Sequence, residues 1–152
     1  FGPHPLFAIR AGASGDLTLK EGATSSADVV WYRTQAGPAI ASPLLYRGYL
    51  YVADERGMLS CYDARTGKPA YTKQRLRGAR GFMASPWAYD GKLFWLDQEG
   101  QTFVVKAGSQ FKLLGTNKID EMFYASPALA DGSVFLRGVD HLYAVAKKGG
   151  GS

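Results

Sequence analysis

Apolar residues in this chain fall into short segments, each closed by a glycine or a charged turn. Residues 43–46 form a first segment, turned by Arg47-Gly48 into 49–53. Asp54-Glu55-Arg56-Gly57 leads to 58–62, and Asp63-Ala64-Arg65-Thr66-Gly67-Lys68 leads to 70–76. Such lengths suit strands, and connections this short join antiparallel neighbours, so the pattern predicts a four-stranded meander. The inner segments do not alternate cleanly between apolar and polar residues. That is the pattern of strands covered on both faces.

The unit repeats. Ala41-Ser42-Pro43, Ala84-Ser85-Pro86 and Ala125-Ser126-Pro127 each open one, and their serines are 43 and 41 residues apart. The second unit predicts strands at 92–96, 102–105 and 111–114 after its opening strand; the last supplies 134–136 and 141–145 and then stops. At the other end, 6–9 and 29–33 match a third and a fourth strand, separated by a Gly/Ser/Thr-rich insertion at 12–27. A period near forty built of short strands is the signature of propeller blades. The expected fold is therefore an all-β, half-propeller arc of about three and a half four-stranded antiparallel blades. Its units fall at 5–35, 39–78, 82–119 and 123–146 within a domain of 1–148, followed by a flexible linker tail at 149–152.

Small residues suit the narrow, axial end of each wedge, and a proline at a strand's start costs no ladder bond. Packing and turn chemistry therefore account for Ser42, Pro43, Ser85, Pro86, Ser126 and Pro127 better than a ligand-lining ring does. Nineteen glycines and 13% aromatics in 152 residues agree with many turns between aromatic-rich strands. No apolar run is long enough to span a bilayer, so no transmembrane segment is expected. No basic-then-apolar leader opens the chain, which places any secretion signal outside it. Cys61 is the only cysteine, which excludes an internal disulfide and leaves the redox compartment undecided. It lies mid-strand, where a thiol packs as a small hydrophobe.

Candidate binding residues are few. Asp54 and Asp97 are 43 residues apart, with Arg137 at the equivalent point of the last unit, so the three are expected on one rim. They could meet a cation or a polar peptide, against the plain reading that hairpin turns are commonly acidic. The net charge is +5 and the pI about 9.4. Lys73, Arg75, Arg77 and Arg80 cluster where one unit passes to the next and are the first choice for a binding patch. Without interleaved aromatics they predict no specific nucleic acid. His141 follows Asp140 at a turn, but neither it nor His4 has a nucleophile or second ligand spaced to join it. Gly12-Ala13-Ser14-Gly15-Asp16 lacks the lysine and following helix of a phosphate loop. No catalytic or metal residue is assigned.

Small-Ser-Pro, strand, Asp-Gly, strand, acidic-Gly turn, then Tyr62-Asp63-Ala64-Arg65-Thr66-Gly67-Lys68, resembles the repeats of pyrroloquinoline-quinone-like β-propellers over residues 5–146, the 12–27 insertion excepted. In that family the Asp-x-x-Thr-Gly-Lys turn is followed by a tryptophan that docks onto the neighbouring blade. Here Asp63, Thr66 and Gly67 keep the turn, Tyr71 stands in the tryptophan's place, and Trp31 is its counterpart in the first unit. Lys106-Ala107-Gly108 in the next unit has lost the motif. The family holds quinoprotein dehydrogenases and non-catalytic relatives, including the propeller lipoprotein of the outer-membrane β-barrel assembly machinery. The resemblance implies a periplasmic or extracellular scaffold with no cofactor, binding protein or peptide on its loops. The alternative it implies is a fragment of an alcohol or sugar dehydrogenase using pyrroloquinoline quinone with calcium. With two strands in the first unit and three in the last, the arc is expected to be the C-terminal half of a larger propeller. A missing segment, a separate partner protein or a second copy would complete it.

Overall fold

The structure is a computed structural model and describes residues 4–147. The tail at 149–152 lies outside the described residues. Among those residues there is no helix, and thirteen strands form four antiparallel sheets. The first sheet pairs β1 (His4–Ile9) with β2 (Val29–Gly37). The second runs in order through β3 (Leu44–Tyr46), β4 (Tyr49–Ala53), β5 (Met58–Asp63) and β6 (Pro69–Arg75). The third does the same through β7 (Trp87–Tyr89), β8 (Lys92–Leu96), β9 (Gln101–Lys106) and β10 (Leu113–Lys118). The last has three strands, β11 (Ala128–Ala130), β12 (Ser133–Arg137) and β13 (Leu142–Ala146). This is the expected series of two, four, four and three strands.

Turn chemistry sets the first hairpin of each unit. Arg47-Gly48, Asp90-Gly91 and Asp131-Gly132 all have positive φ at both residues, from 46° to 78°. A two-residue turn needs that to match the twist of its strands. Pro43, Pro86 and Pro127 lie immediately before β3, β7 and β11, where their missing N–H removes no ladder bond.

The outer strands depart from expectation. β10 was expected at 111–114 and instead runs through Leu113–Lys118, exposed along its length. Phe111 leaves the strand path to pack its ring edge-on against Tyr71, centroids 5.9 Å apart, and Lys106 closes the loop by donating its N–H to Lys112. β2 extends past 33 to Gly37 for a related reason: an outer strand needs no continuous apolar face. β13 starts one residue later than expected, at Leu142.

Adjacent sheets pack face to face. Trp31, on β2, is buried against the second sheet and donates Nε1–H to the Ala64 carbonyl at 2.9 Å. Its ring lies on Gly67, where a Cβ would come within 2.6 Å of it. Arg33 adds an Nε bond to the Gly67 carbonyl and stacks over Tyr62. Between the second and third sheets, Leu59, Cys61, Leu93, Trp95, Phe103 and Val105 are fully buried. Here two tyrosines bind across the gap: Tyr46 Oη accepts the Gly91 N–H at 3.1 Å and Tyr51 Oη the Gly108 N–H at 2.8 Å. Burial pushes the Cys61 thiol up to about 12, so it is an inert core group. Tyr71 lies beside that thiol, and its buried hydroxyl makes no hydrogen bond. Burial raises its pKa accordingly.

At the narrow end the repeated serines form a chain from sheet to sheet. Ser42 N–H donates to Ser85 Oγ at 3.1 Å, and Ser85 N–H to Ser126 Oγ at 2.9 Å. These two bonds join neighbouring units.

Two substitutions test the packing by urea unfolding. Trp31→Ala should cost about 3–5 kcal/mol, the usual loss for a large buried aromatic. Tyr71→Phe, which removes an unpaired buried hydroxyl, should be neutral or add about 1 kcal/mol. A loss above about 1 kcal/mol for Tyr71→Phe would show that the hydroxyl is bonded in solution.

Candidate binding cleft and turn carboxylates

Each second-to-third-strand turn needs a carboxylate to satisfy its amides. Asp54 Oδ1 accepts from the Arg56 and Met58 N–H groups, both at 2.9 Å. Asp97 Oδ1 accepts from Glu99 and Gln101 at 3.0 and 2.8 Å, and its Oδ2 takes the Arg80 N–H at 3.0 Å. Asp97 is 0% exposed, so its carboxylate serves the turn and the connection before the sheet. In the last unit the residue at this point is Gly138 and not Arg137: the Gly138 N–H donates to the His141 carbonyl as the Asp97 N–H does to that of Gln101, and Arg137 lies one residue earlier, its Nε donating to the Gly138 carbonyl. The turn amides there are served instead by Glu121, from the connection before the sheet. Glu121 Oε1 accepts the Asp140 and His141 N–H groups, while Oε2 takes the Tyr143 hydroxyl and lies 3.2 Å from His141 Nδ1.

Sequence reasoning passed over Glu121. The signal lay in the repeat: Glu121 and Arg80 each stand five residues before their unit's serine, Ser126 and Ser85. Where the strand end carries Asp97 the connection carries Arg80; where it carries Gly138 the connection carries Glu121, whose carboxylate fills the space a Cβ on Gly138 would take. The Glu121 side chain is only 6% exposed. Its carboxyl is held down at about 2, chiefly by the Tyr143 hydroxyl and then by the Asp140 and His141 groups, against the opposing effect of burial.

The basic cluster is exposed as expected. Arg75 ends β6 opposite Met58, Arg77 and Arg80 lie in the following connection, and none of the four cations forms an ion pair with a described residue. Lys73 stands apart from the arginines. It sits at a bulge with φ 50°, donates its N–H to Ser60 Oγ, and lines a small polar cleft with Asp54 and Arg56. The seven candidate binding residues therefore do not form one patch.

A larger feature lies between the third and last sheets. A cleft of about 740 Å³ opens there, walled by Trp87, Phe94, Val134, Leu136 and Val145, with Lys118, Asp131 and Lys147 at its mouth. Trp87 and Phe94 stack in parallel, centroids 5.2 Å apart. The cross-sheet ties seen one interface earlier are missing here. In the repeat 43 residues on, Tyr51 becomes Phe94, which has no hydroxyl, and Tyr71 becomes Leu114, which is 44% exposed. Tyr89, at the place of Tyr46, is 70% exposed and makes no such bond across the gap. Phe123, fully buried, packs with Ala84, Trp87, Leu96 and Leu136 beside the cleft.

A quinone site with calcium needs free carboxylates. Both buried ones, Asp97 and Glu121, are spent on amides and neighbouring side chains, and no three His, Cys, Asp or Glu side chains converge among the described residues.

No model of a known protein family matches the chain, and no curated protein matches it by sequence. Among solved structures it is similar to BamB from Moraxella catarrhalis, with a TM-score of 0.56 and 19% identity, covering 78% of this chain and 36% of that one. It is also similar to a europium-containing methanol dehydrogenase, with a TM-score of 0.51 and 16% identity over 68% of this chain and 21% of that one. The fold is that of the pyrroloquinoline-quinone-like β-propellers. The chain spans about a third of the BamB length and a smaller part of the dehydrogenase.

Glu121 makes the last sheet sensitive to acid. Its folded pKa lies below the ordinary 4.5, so its contribution is complete above that pH and is lost as pH falls toward 2. The difference in urea midpoint between wild type and Glu121→Gln should be largest above about pH 5 and shrink steadily below it. A difference that does not change with pH would assign Glu121 a purely steric role.

Proposed function

We propose that this chain is a non-catalytic propeller scaffold that binds protein or peptide segments outside the cytoplasm, as part of a larger or multi-chain propeller. The observation that carries the reading is the apolar cleft between the third and last sheets, an aromatic-lined groove with charges confined to its mouth. Grooves of this composition hold side chains of a bound polypeptide, with affinity concentrated in a few buried anchors. The terminal sheets support the multi-chain part. The outward face of the first carries Phe7 stacked on Tyr32, beside Ile9 and Val30, and the last exposes Leu142 at 68%. Apolar faces of this kind mark contact surfaces. The location outside the cytoplasm rests on resemblance to the fold's lipoprotein and dehydrogenase members.

Panning a random peptide display library against the whole chain tests the reading. Aromatic-rich sequences should be enriched, and their binding should fall about tenfold or more in Trp87→Ala. A saturable quinone spectrum and dye reduction with alcohols, on adding pyrroloquinoline quinone and calcium, would overturn it in favour of a dehydrogenase fragment.

A further inference from the structure

We propose that the polar cleft between the first and second sheets binds a small zwitterion, an α-amino acid or dipeptide, with Lys73 taking its carboxylate and Asp54 its ammonium group. The proposal is independent of the scaffold reading, which rests on the apolar cleft between the third and last sheets. The residues that leave this space open are the repeats of those that close the next interface. Between the second and third sheets three buried rings interlock: Phe82 packs edge-on against Trp95 and Phe103, centroids 5.8 and 6.2 Å apart. At the same places 43 residues earlier stand Ala39, Val52 and Ser60. Val52 and Ser60 line a cleft of about 370 Å³, a size that suits a small ligand.

The second sheet distorts to bring a cation to this cleft. Among the described residues Arg47, Asp90 and Asp131 have positive φ because each opens a two-residue hairpin turn; Lys73, at 50°, is the one other non-glycine residue that does. Left-handed backbone costs stability in a residue with a Cβ and persists where its surroundings impose it. Here the β5–β6 register skips Ser60, and the Lys73 N–H donates to the Ser60 hydroxyl at 3.1 Å. Such a bulge re-aims a side chain, and Lys73 lines the cleft. The β4–β5 turn supplies the opposite charge. Asp97 spends Oδ2 on the Arg80 N–H, but the residue at Arg80's place in the first connection is Gly37, which pairs with His4. Asp54 Oδ1 serves its turn amides, and no described residue bonds to its Oδ2. Glu55 and Arg56 add one charge of each sign to the lining, and none of the four forms an ion pair with a described residue. A ligand carrying one charge of each sign complements such a lining, whereas a singly charged one meets repulsion as well as attraction.

The probes are L-alanine and glycylglycine, added to the whole isotopically labelled chain and followed by amide chemical shifts. Saturable shifts are expected at 54–60 and 72–73. Blocking the amine, in N-acetylglycylglycine, or the carboxylate, in glycylglycinamide, should each weaken binding about tenfold or more, the usual effect of losing a charged hydrogen bond. Lys73→Gly removes the ammonium group and suits the backbone, so the urea midpoint should hold or rise while affinity falls about tenfold. Asp54→Asn keeps Oδ1 for the turn amides and should weaken glycylglycine by a similar factor, without further weakening its N-acetyl form. It tests the other end of the ligand even if Lys73→Gly fails to fold. Lys20→Ala, in the 12–27 insertion, should change nothing. The proposal is overturned if neither probe gives saturable shifts, if the blocked forms bind as well as glycylglycine, or if both Lys73→Gly and Asp54→Asn bind normally. Shifts centred on Trp87 and Phe94 would put the probe in the apolar cleft and overturn it too.

Discussion

A side chain on the outer strand of one sheet, seated against the last turn of the next, governs how this arc holds together. Sheets that are apolar on both faces gain most of their stability from stacking, at roughly 25 cal/mol per Å² of apolar surface buried. That term has no direction, so something specific must fix how far apart neighbouring sheets sit. Trp31 does this at the first interface, where an indole lies flat on Gly67 and its N–H reaches the Ala64 carbonyl. Only glycine tolerates that approach, and its φ of 68° makes the turn that presents it. The second interface uses a weaker version: Tyr71 fills space without a hydrogen bond, and Tyr46 and Tyr51 supply the missing ties. At the third the device is gone, because Leu114 is too short and Phe94 has no hydroxyl. The cleft is the end of this gradient.

The last sheet nonetheless keeps its place, held by contacts away from the lost seal. Ser85 ties it at the axis, and Phe123 buries completely beside the cleft. Glu121 anchors the connection to the β12–β13 turn through both carboxylate oxygens. Hydrogen bonds to a charged acceptor are roughly twice as strong as neutral ones, so one carboxylate can substitute for a whole turn motif. Moving it from the strand end to the connection preserves the turn while changing which element supplies the charge. The result is a sheet fixed at one end and open at the other.

Much of the architecture was legible in the residues themselves. The Ser-Pro openings and the Arg47-Gly48, Asp90-Gly91 and Asp131-Gly132 turns fix where each unit begins, because both signals depend on local backbone geometry. β10 was misplaced because the apolar Phe111 marks a residue that leaves the strand, while the strand itself is polar and exposed. The site was less legible. Asp54 and Asp97 were recognised as register mates, but only coordinates show their oxygens consumed by turn amides. Glu121 acts across some twenty residues of sequence through backbone donors that carry no identity of their own. A cavity is harder still to foresee, since Phe94 on its wall marks it only by the hydroxyl it lacks.

The same logic separates binding from stability in this fold. Filling the third interface as the second is filled would bury more apolar surface and tighten the arc, yet would remove the groove. An open wedge lined by Trp87, Phe94 and Val145 leaves apolar surface in water, and natural sequences tolerate such a loss mainly where another chain recovers it. The charges agree with that division. Lys118, Asp131 and Lys147 stand at the mouth and none lines the floor, so an incoming side chain meets no charge that must be desolvated deep inside. Decay of the docking motif along the arc thus leaves an open, apolar wedge where the preceding unit has a packed interface.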